Sequence, residues 1–206
     1  QHIHAEEMGE AKLKFFMNIS HEIRTPLTLI LTPLFTLIKE DKDAHRQGIY
    51  DMMRKNSERI LHLINQMMDL RKIDKGQMVM HMSETDMVAF IGDEYKLFCQ
   101  QAIAKSIHFT FEHEDETLPV WIDRDNFDKV LMNVLSNAFK FTPAGGRIRI
   151  TLSHSPHHVR IAIKDSGKGI QEEKLETIFQ RFYQSTTTSN DRNVGTGIGL
   201  DLTRSL

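Results

Sequence analysis

His21 stands in the stretch Phe15-Phe16-Met17-Asn18-Ile19-Ser20-His21-Glu22-Ile23-Arg24-Thr25-Pro26-Leu27, with a carboxylate immediately after it and a hydroxyl four residues on. A neutral imidazole is a competent nucleophile near pH 7, and Glu22 can take the proton that leaves the ring when an electrophile attaches. Thr25 falls on the same helical face, where its hydroxyl can orient a water against a group carried by the histidine. A lone histidine is more often a packing residue. Here Ser20 lies on the apolar stripe instead, and His21 shares its side with Lys14, Asn18 and Thr25, which favours chemistry over packing.

A second set lies far along the chain. Asn133, Asn137 and Lys140 recur at steps of four and three, on one helical face. An amide oxygen is a hard ligand suited to Mg²⁺, and an ammonium suits a phosphate oxygen. Asp165-Ser166-Gly167-Lys168-Gly169-Ile170 follows a strand-like run, and its glycines let backbone approach a ligand where a side chain would collide. Gly195-Thr196-Gly197-Ile198-Gly199-Leu200 precedes a helix-like end, so its N–H groups can cradle phosphates. Between the glycine runs, Phe179-Gln180-Arg181-Phe182-Tyr183 leads into a polar stretch, Gln184 to Val194, that reads as a lid. Taken singly, helical asparagines are ordinary surface residues and short glycine patterns are usually turns. No G-x-x-x-x-G-K-[ST] loop is present.

Two apolar stripes must position His21. Leu13, Phe16, Ser20, Ile23, Leu27, Ile30, Leu34 and Leu37 alternate steps of three and four, the spacing of a seam along a helix. Ile49, Met53, Asn56, Ile60, Leu63, Met67 and Leu70 repeat the alternation, and the polar stretch Lys39 to Gly48 is short enough to return the chain antiparallel. The pattern predicts an all-α helical hairpin over residues 1–78. Two helices with one stripe each leave apolar surface uncovered, so two hairpins are expected to pair as a dimeric four-helix bundle. Pro26 removes a backbone hydrogen bond and predicts a bend beside His21.

After Gly76 the period changes. Residues 79–206 read as an α+β domain, with a helix from Met87 to Ala104 and strands at Ile107 to Glu112 and Val120 to Ile122. A helix from Asp125 to Phe141, the turn Pro143-Ala144-Gly145-Gly146, and strands Arg147 to Ser153 and Val159 to Asp165 follow. Helices over one face of a mixed sheet are the expected arrangement.

Composition narrows the classes. With 206 residues, 40% of them hydrophobic, the chain can pack two modest domains, and a net charge of -2 offers no basic field for nucleic acid. The single cysteine, Cys99, excludes an internal disulfide framework and fits a reducing compartment. No segment reaches the ~18 to 20 consecutive apolar residues of a membrane span. Gln1 is not an initiator methionine and the first residues read as mid-helix, so membrane and sensor segments are expected upstream if they exist. His2, His4, His154, His157 and His158 are too irregularly spaced for a metal site.

The stretch around His21 resembles the H-box of two-component sensor histidine kinases. In that family the histidine of S-H-E-x-R-T-P-L accepts a phosphoryl group, the next acidic residue is its base, and the Thr four past it supports dephosphorylation of the partner. The resemblance places His21, Glu22 and Thr25 in those roles. Asn133-Val134-Leu135-Ser136-Asn137-Ala138-Phe139-Lys140-Phe141-Thr142 resembles the N-box, which implies Asn137 on Mg²⁺, Asn133 supporting it and Lys140 on the phosphates. The run from Asp165 resembles the adenine box. It implies that Asp165 accepts from the adenine amino group and that Gly167, Gly169 and Ile170 line the nucleotide. Phe179 to Tyr183 resembles the F-box, with Phe182 at the nucleotide, and Gly195, Thr196, Gly197, Gly199 and Leu200 resemble the second glycine box.

The five stretches run in the family's order from Phe15 to Leu200. They imply a Bergerat-type (GHKL) ATP-binding sandwich behind the hairpin, and the phrasing also resembles Bacteroides-type hybrid sensors. The implied activity is autophosphorylation of His21 from ATP and Mg²⁺, then transfer to an aspartate of a response-regulator receiver domain. The implied setting is the cytoplasmic portion of a bacterial inner-membrane sensor, with no direct contact to nucleic acid. Two departures stand out. Relatives often carry arginine after the F-box tyrosine where this chain has Gln184, leaving Arg181 or Arg192 to substitute, and relatives continue into a further strand pair beyond the position of Leu206. The sandwich is therefore expected to be incomplete at its C-terminal end. The rival readings are a Bergerat ATPase driving a conformational clamp, which the H-box disfavours, and a catalytically weak dimerisation or scaffold fragment.

Overall fold

The computed structural model describes residues 2–181, 183 and 197–206, without the side chains of residues 2–19 and 21. The chain divides into two compact units, Gln1–Met78 and Val79–Leu206.

The first unit is a hairpin of α1 (His2–Glu40) and α2 (Ala44–Asp74). Only residues 41–43 connect them, a shorter turn than the ten polar residues from Lys39 to Gly48 suggest. The reason is local capping. Asp43 accepts from the Arg46 backbone N–H at 2.9 Å and starts α2 at once, so the polar residues on either side stay helical. The Asp41 carboxylate then holds Arg46 Nε at 2.6 Å, Tyr50 Oη at 2.9 Å and the Asp43 N–H at 2.9 Å. α1 continues as helix through Pro26, and also through Pro33. Arg24 Nη2 donates to Asn65 Oδ1 at 2.8 Å across the hairpin, which with the Gln47 to Ile38 contact sets the helices antiparallel.

The apolar stripe of α1 splits into two rows. Ser20, Leu27 and Leu34, at heptad spacing, are buried, and Leu31 joins them. Ile23, Ile30 and Leu37, the other heptad row, stay exposed. On α2 the buried positions are Ser57, Ile64, Gln66 and Leu70, while the expected seam residues Ile49, Met53 and Ile60 remain exposed. One partner helix covers a narrower arc than the full stripe occupies.

The second unit runs β1 (Met82–Asp86), α3 (Met87–Ala104), β2 (His108–His113), β3 (Pro119–Asp123), α4 (Arg124–Phe141), β4 (Arg147–Ser155), β5 (His158–Asp165) and α5 (Gly199–Ser205). β2, β4 and β5 form a mixed sheet, β2 parallel to β4 and β4 antiparallel to β5. β1, which the sequence pattern does not announce, pairs antiparallel with β3. Two aspartates turn strand into helix. Asp86 accepts from Val88 N–H and Leu118 N–H, and Asp123 accepts from Asn126 N–H and His81 N–H, each capping a helix while fastening a neighbouring segment. Burial raises the Asp123 carboxyl, but these hydrogen bonds outweigh it and hold the group below its ordinary value.

β4 alternates cleanly: Ile148, Ile150 and Leu152 point into the core, Arg147, Arg149 and Ser153 out of it. Phe139 of α4 is fully sealed, stacked on Phe98 and edge-on to Phe109 with centroids 5.0 Å apart in both pairs. Among the described residues no helix is long and apolar enough to cross a membrane.

Candidate functional site

The nucleotide-type residues converge at one end of α4. Asn137 and Lys140 are half-buried on it. Lys140 Nζ lies 5.0 Å from the centroid of the Phe141 ring, and Lys168 Nζ of the glycine loop lies 5.2 Å from the same ring. Phe141 is 41% exposed, with both ammonium groups over its ring. The loop that starts at Asp165 folds against this helix end. A Cβ on Gly167 would sit 2.7 Å from the Phe141 carbonyl oxygen, so only glycine permits the approach. Gly169 has φ +69°, the left-handed region, which turns the loop.

Asp165 is exposed at the end of β5, and its Oδ1 accepts from the Gly167 N–H at 2.8 Å. Ser166 locks the loop base, with its Oγ accepting from Arg147 N–H at 2.8 Å and its own N–H donating to Arg147 O at 2.9 Å. Ile170 is exposed. The loop is thus held rigidly at its root with a carboxylate and an apolar side chain presented to solvent.

Asn133 behaves differently from its helix mates. It is 8% exposed, and its Nδ2 donates to Gly199 O at 3.3 Å and to Thr203 Oγ1 at 3.5 Å. Its amide therefore ties α4 to the start of α5. Gly199 opens α5, Leu200 is half-buried, and Gly197 precedes them with φ +70°. Arg181 Nε donates to Asp201 Oδ2 at 2.6 Å, and Arg204 lies over the Phe179 ring, so the segment around Phe179 is fastened to α5. Phe182, Gly195 and Thr196 lie outside the described residues, as do Gln184, Arg192 and the lid stretch.

Sequence reasoning missed several contributors. Phe141 and Lys168 were visible only as box residues, and Thr203 as an ordinary helix residue. The packing of α5 on α4, which no spacing rule encodes, gives them their place.

On the hairpin, Glu22 and Thr25 are exposed beside buried Ser20, and the His21 backbone lies on α1 between them. The side chain of His21 is outside the described residues.

Comparison with known proteins reproduces this division. Residues 11–76 match the His Kinase A (phospho-acceptor) domain, and residues 122–206 match the histidine kinase-, DNA gyrase B- and HSP90-like ATPase. The solved catalytic domain of histidine kinase ThkA is 35% identical over 61% of this chain and 78% of that one, with a TM-score of 0.54. The chain belongs to the histidine kinase family. Histidine kinase P4 of Formosa agariphila is 37% identical over 98% of this chain and 15% of that protein, and sensor histidine kinase TmoS of Ectopseudomonas mendocina is 35% identical over 96% and 21%. The chain thus spans between 13% and 21% of the length of the first curated relatives it matches. Full-length ShkA, solved in complex with AMPPNP, matches at 22% identity and a TM-score of 0.76 over 93% of this chain and 40% of that one. A complex of ThkA with the response regulator protein TrrA matches 82% of this chain and 50% of that one at 26% identity and a TM-score of 0.53. The helical hairpin followed by a Bergerat-type ATPase domain is the architecture of this kinase core.

Proposed function

We propose that this chain is an ATP-dependent histidine autokinase that phosphorylates His21 and passes the phosphoryl group to an aspartate of a response-regulator receiver domain. The observation that carries the reading is the joining, in one chain, of a phospho-acceptor hairpin bearing His21 to an ATPase-type domain.

In the second unit, Asp165 accepts from the adenine amino group at the glycine loop, where the space a Cβ on Gly167 would fill is left to backbone. Gly169 and Ile170 line the nucleotide from the same loop, and Phe182 of the F-box is assigned to it as well. Lys140 and the run Gly195, Thr196, Gly197, Gly199 and Leu200 serve the phosphates. Asn137, with a hard amide oxygen on a half-buried helix face, is the fitting ligand for Mg²⁺, which neutralises phosphate charge when bound. Asn133 supports this set by holding α5 against α4.

On the hairpin, an imidazole nitrogen of His21 forms a bond to the γ-phosphorus as the bond to the ADP oxygen breaks, and Glu22 takes the ring proton. Thr25 orients the water of the reverse, phosphatase-type reaction. The exposed rows Ile23, Ile30, Leu37 and Ile49, Met53, Ile60 are what a second hairpin would cover, so the working unit is a homodimeric four-helix bundle. The ThkA complex with its regulator supports a receiver domain as phosphoryl acceptor. A place on the cytoplasmic side of a bacterial inner membrane follows from the family resemblance, through segments outside this sequence.

Incubation with γ-labelled ATP and Mg²⁺, beside His21→Ala, tests the reading. Acid-labile label that is lost in the variant is expected. No label despite measured ATP binding, or label that survives in His21→Ala, overturns it.

A further inference from the structure

Lys168 is the only cation in the loop Asp165–Ile170, and it stands exposed between two glycines whose geometry fixes the backbone on either side of it. Gly167 meets the Phe141 carbonyl where a Cβ would fall, and Gly169 takes the left-handed φ that turns the chain. Ser166 ties the loop root to Arg147 through its hydroxyl and its N–H. From this fixed point the Lys168 stem reaches the end of α4, where Nζ lies 5.2 Å from the centroid of the Phe141 ring.

Lys140 of α4 brings its own ammonium to 5.0 Å from the same centroid. Two elements thus gather two like charges around one ring. The ring attracts each ammonium, yet it does not cancel the repulsion between them. Among the described residues Lys168 pairs with no carboxylate. An anion within reach of both cations is the partner such a site suits. We propose that Lys168 is a second phosphate-binding cation, which with Lys140 clasps the polyphosphate of the nucleotide whose base Asp165 accepts. This rests on the nucleotide reading of α4 and of the Asp165 loop given above.

Lysine chemistry fits the task. Its compact charge rides on a flexible stem, so the ammonium can leave the ring and follow phosphate oxygens as they arrive. One loop then serves both ends of the ligand, a carboxylate for the base and an ammonium for the phosphates. The contribution of Lys168 must therefore grow with ligand charge and shrink as salt screens it. In the empty protein it adds no support, because there the second cation brings repulsion that the ring only offsets.

The test titrates the whole chain, as wild type, Lys168→Gln and Lys168→Arg, with a non-hydrolysable ATP analogue and Mg²⁺ and separately with adenosine, at low and high salt. Each form is also melted without ligand. Lys168→Gln is expected to bind the analogue on the order of fivefold more weakly at low salt. The difference should narrow at high salt, while adenosine affinity and melting temperature stay at the wild-type values and Lys168→Arg keeps most of the analogue affinity. Equal weakening of analogue and adenosine overturns the phosphate contact, since a lysine that only shapes the loop or packs on Phe141 affects both ligands alike. Analogue affinity equal in wild type and Lys168→Gln overturns it as well and leaves the nucleotide reading standing. Wild type that binds neither ligand sinks that reading, and this proposal with it.

Discussion

In the hairpin, Ile23, Ile30, Leu37, Ile49, Met53 and Ile60 all remain more than a third exposed, whereas in the α/β unit Phe139, Leu135, Ile91 and Ile150 have no exposed surface at all. Both regions carry periodic apolar residues, but only the second closes around its own. A sheet with α3 and α4 on one face gives every inward side chain neighbours from two layers. Two helices alone give each stripe one neighbour and leave the rest of it exposed. The ATPase-type unit thus seals a core of its own, while the phospho-acceptor hairpin leaves an apolar row uncovered.

The strongest way to break this contrast is to open the closed core. Phe139→Ala is expected to destabilise the second unit by about 3–5 kcal/mol while leaving hairpin helicity in place. Denaturant melts followed separately by far-UV circular dichroism and by Trp121 fluorescence should split into two transitions. A single shared transition would show that the units fold together.

Next comes the exposed row. Ile30→Asp should remove an apolar contribution of about 1.5–3 kcal/mol per partner-covered side chain and shift the protein from dimer to monomer in light scattering. ATP binding by the second unit should not change. If mass stays monomeric in wild type and variant alike, the row has another use.

A smaller effect is expected at the strand-to-helix turn. Asp123→Ala removes the α4 cap and the His81 clamp and should cost about 1 kcal/mol, with Asp123→Asn recovering part of it. Thermal melts of the two variants at neutral pH give the ranking.

The smallest effect lies in the hairpin turn. The hydrogen bond from Arg46 and that from the Asp43 N–H, with a further one from Tyr50, hold the half-buried Asp41 carboxyl well below the ordinary carboxylate range. Its contribution is present above the unfolded value of 3.8 and is lost as pH falls below that. Hairpin helicity should therefore show a small acid-dependent decline that Asp41→Asn lacks; equal acid profiles would remove the clamp from the account.

Much of the fold was legible because its signals are local. The heptad steps through Leu27 and Leu34 and the strand run of Ile148, Ile150 and Leu152 each depend on neighbours in sequence. β1 was not legible, because Met82 to Asp86 lacks strong alternation, has only Thr85 as a β-branched residue, and is a strand through its pairing with β3. Of the candidate site, the boxes around Asn133, Asp165 and Gly199 could be read as types and spacings. Which of them touch could not. Asn133 reads as a member of the Mg²⁺ set, yet its amide is engaged with Gly199 and Thr203 across a gap of more than sixty residues.

The sequence by itself determined the periods and the order of chemical groups from His21 to Leu200, since these follow from backbone geometry and side-chain type within a few residues. Only the tertiary structure decided which row of the α1 stripe is covered, that Lys140 and Lys168 meet over the Phe141 ring, and that Asn133 ties α4 to α5. Those outcomes depend on which surfaces remain after distant elements pack, and burial then sets what each polar group must pair with.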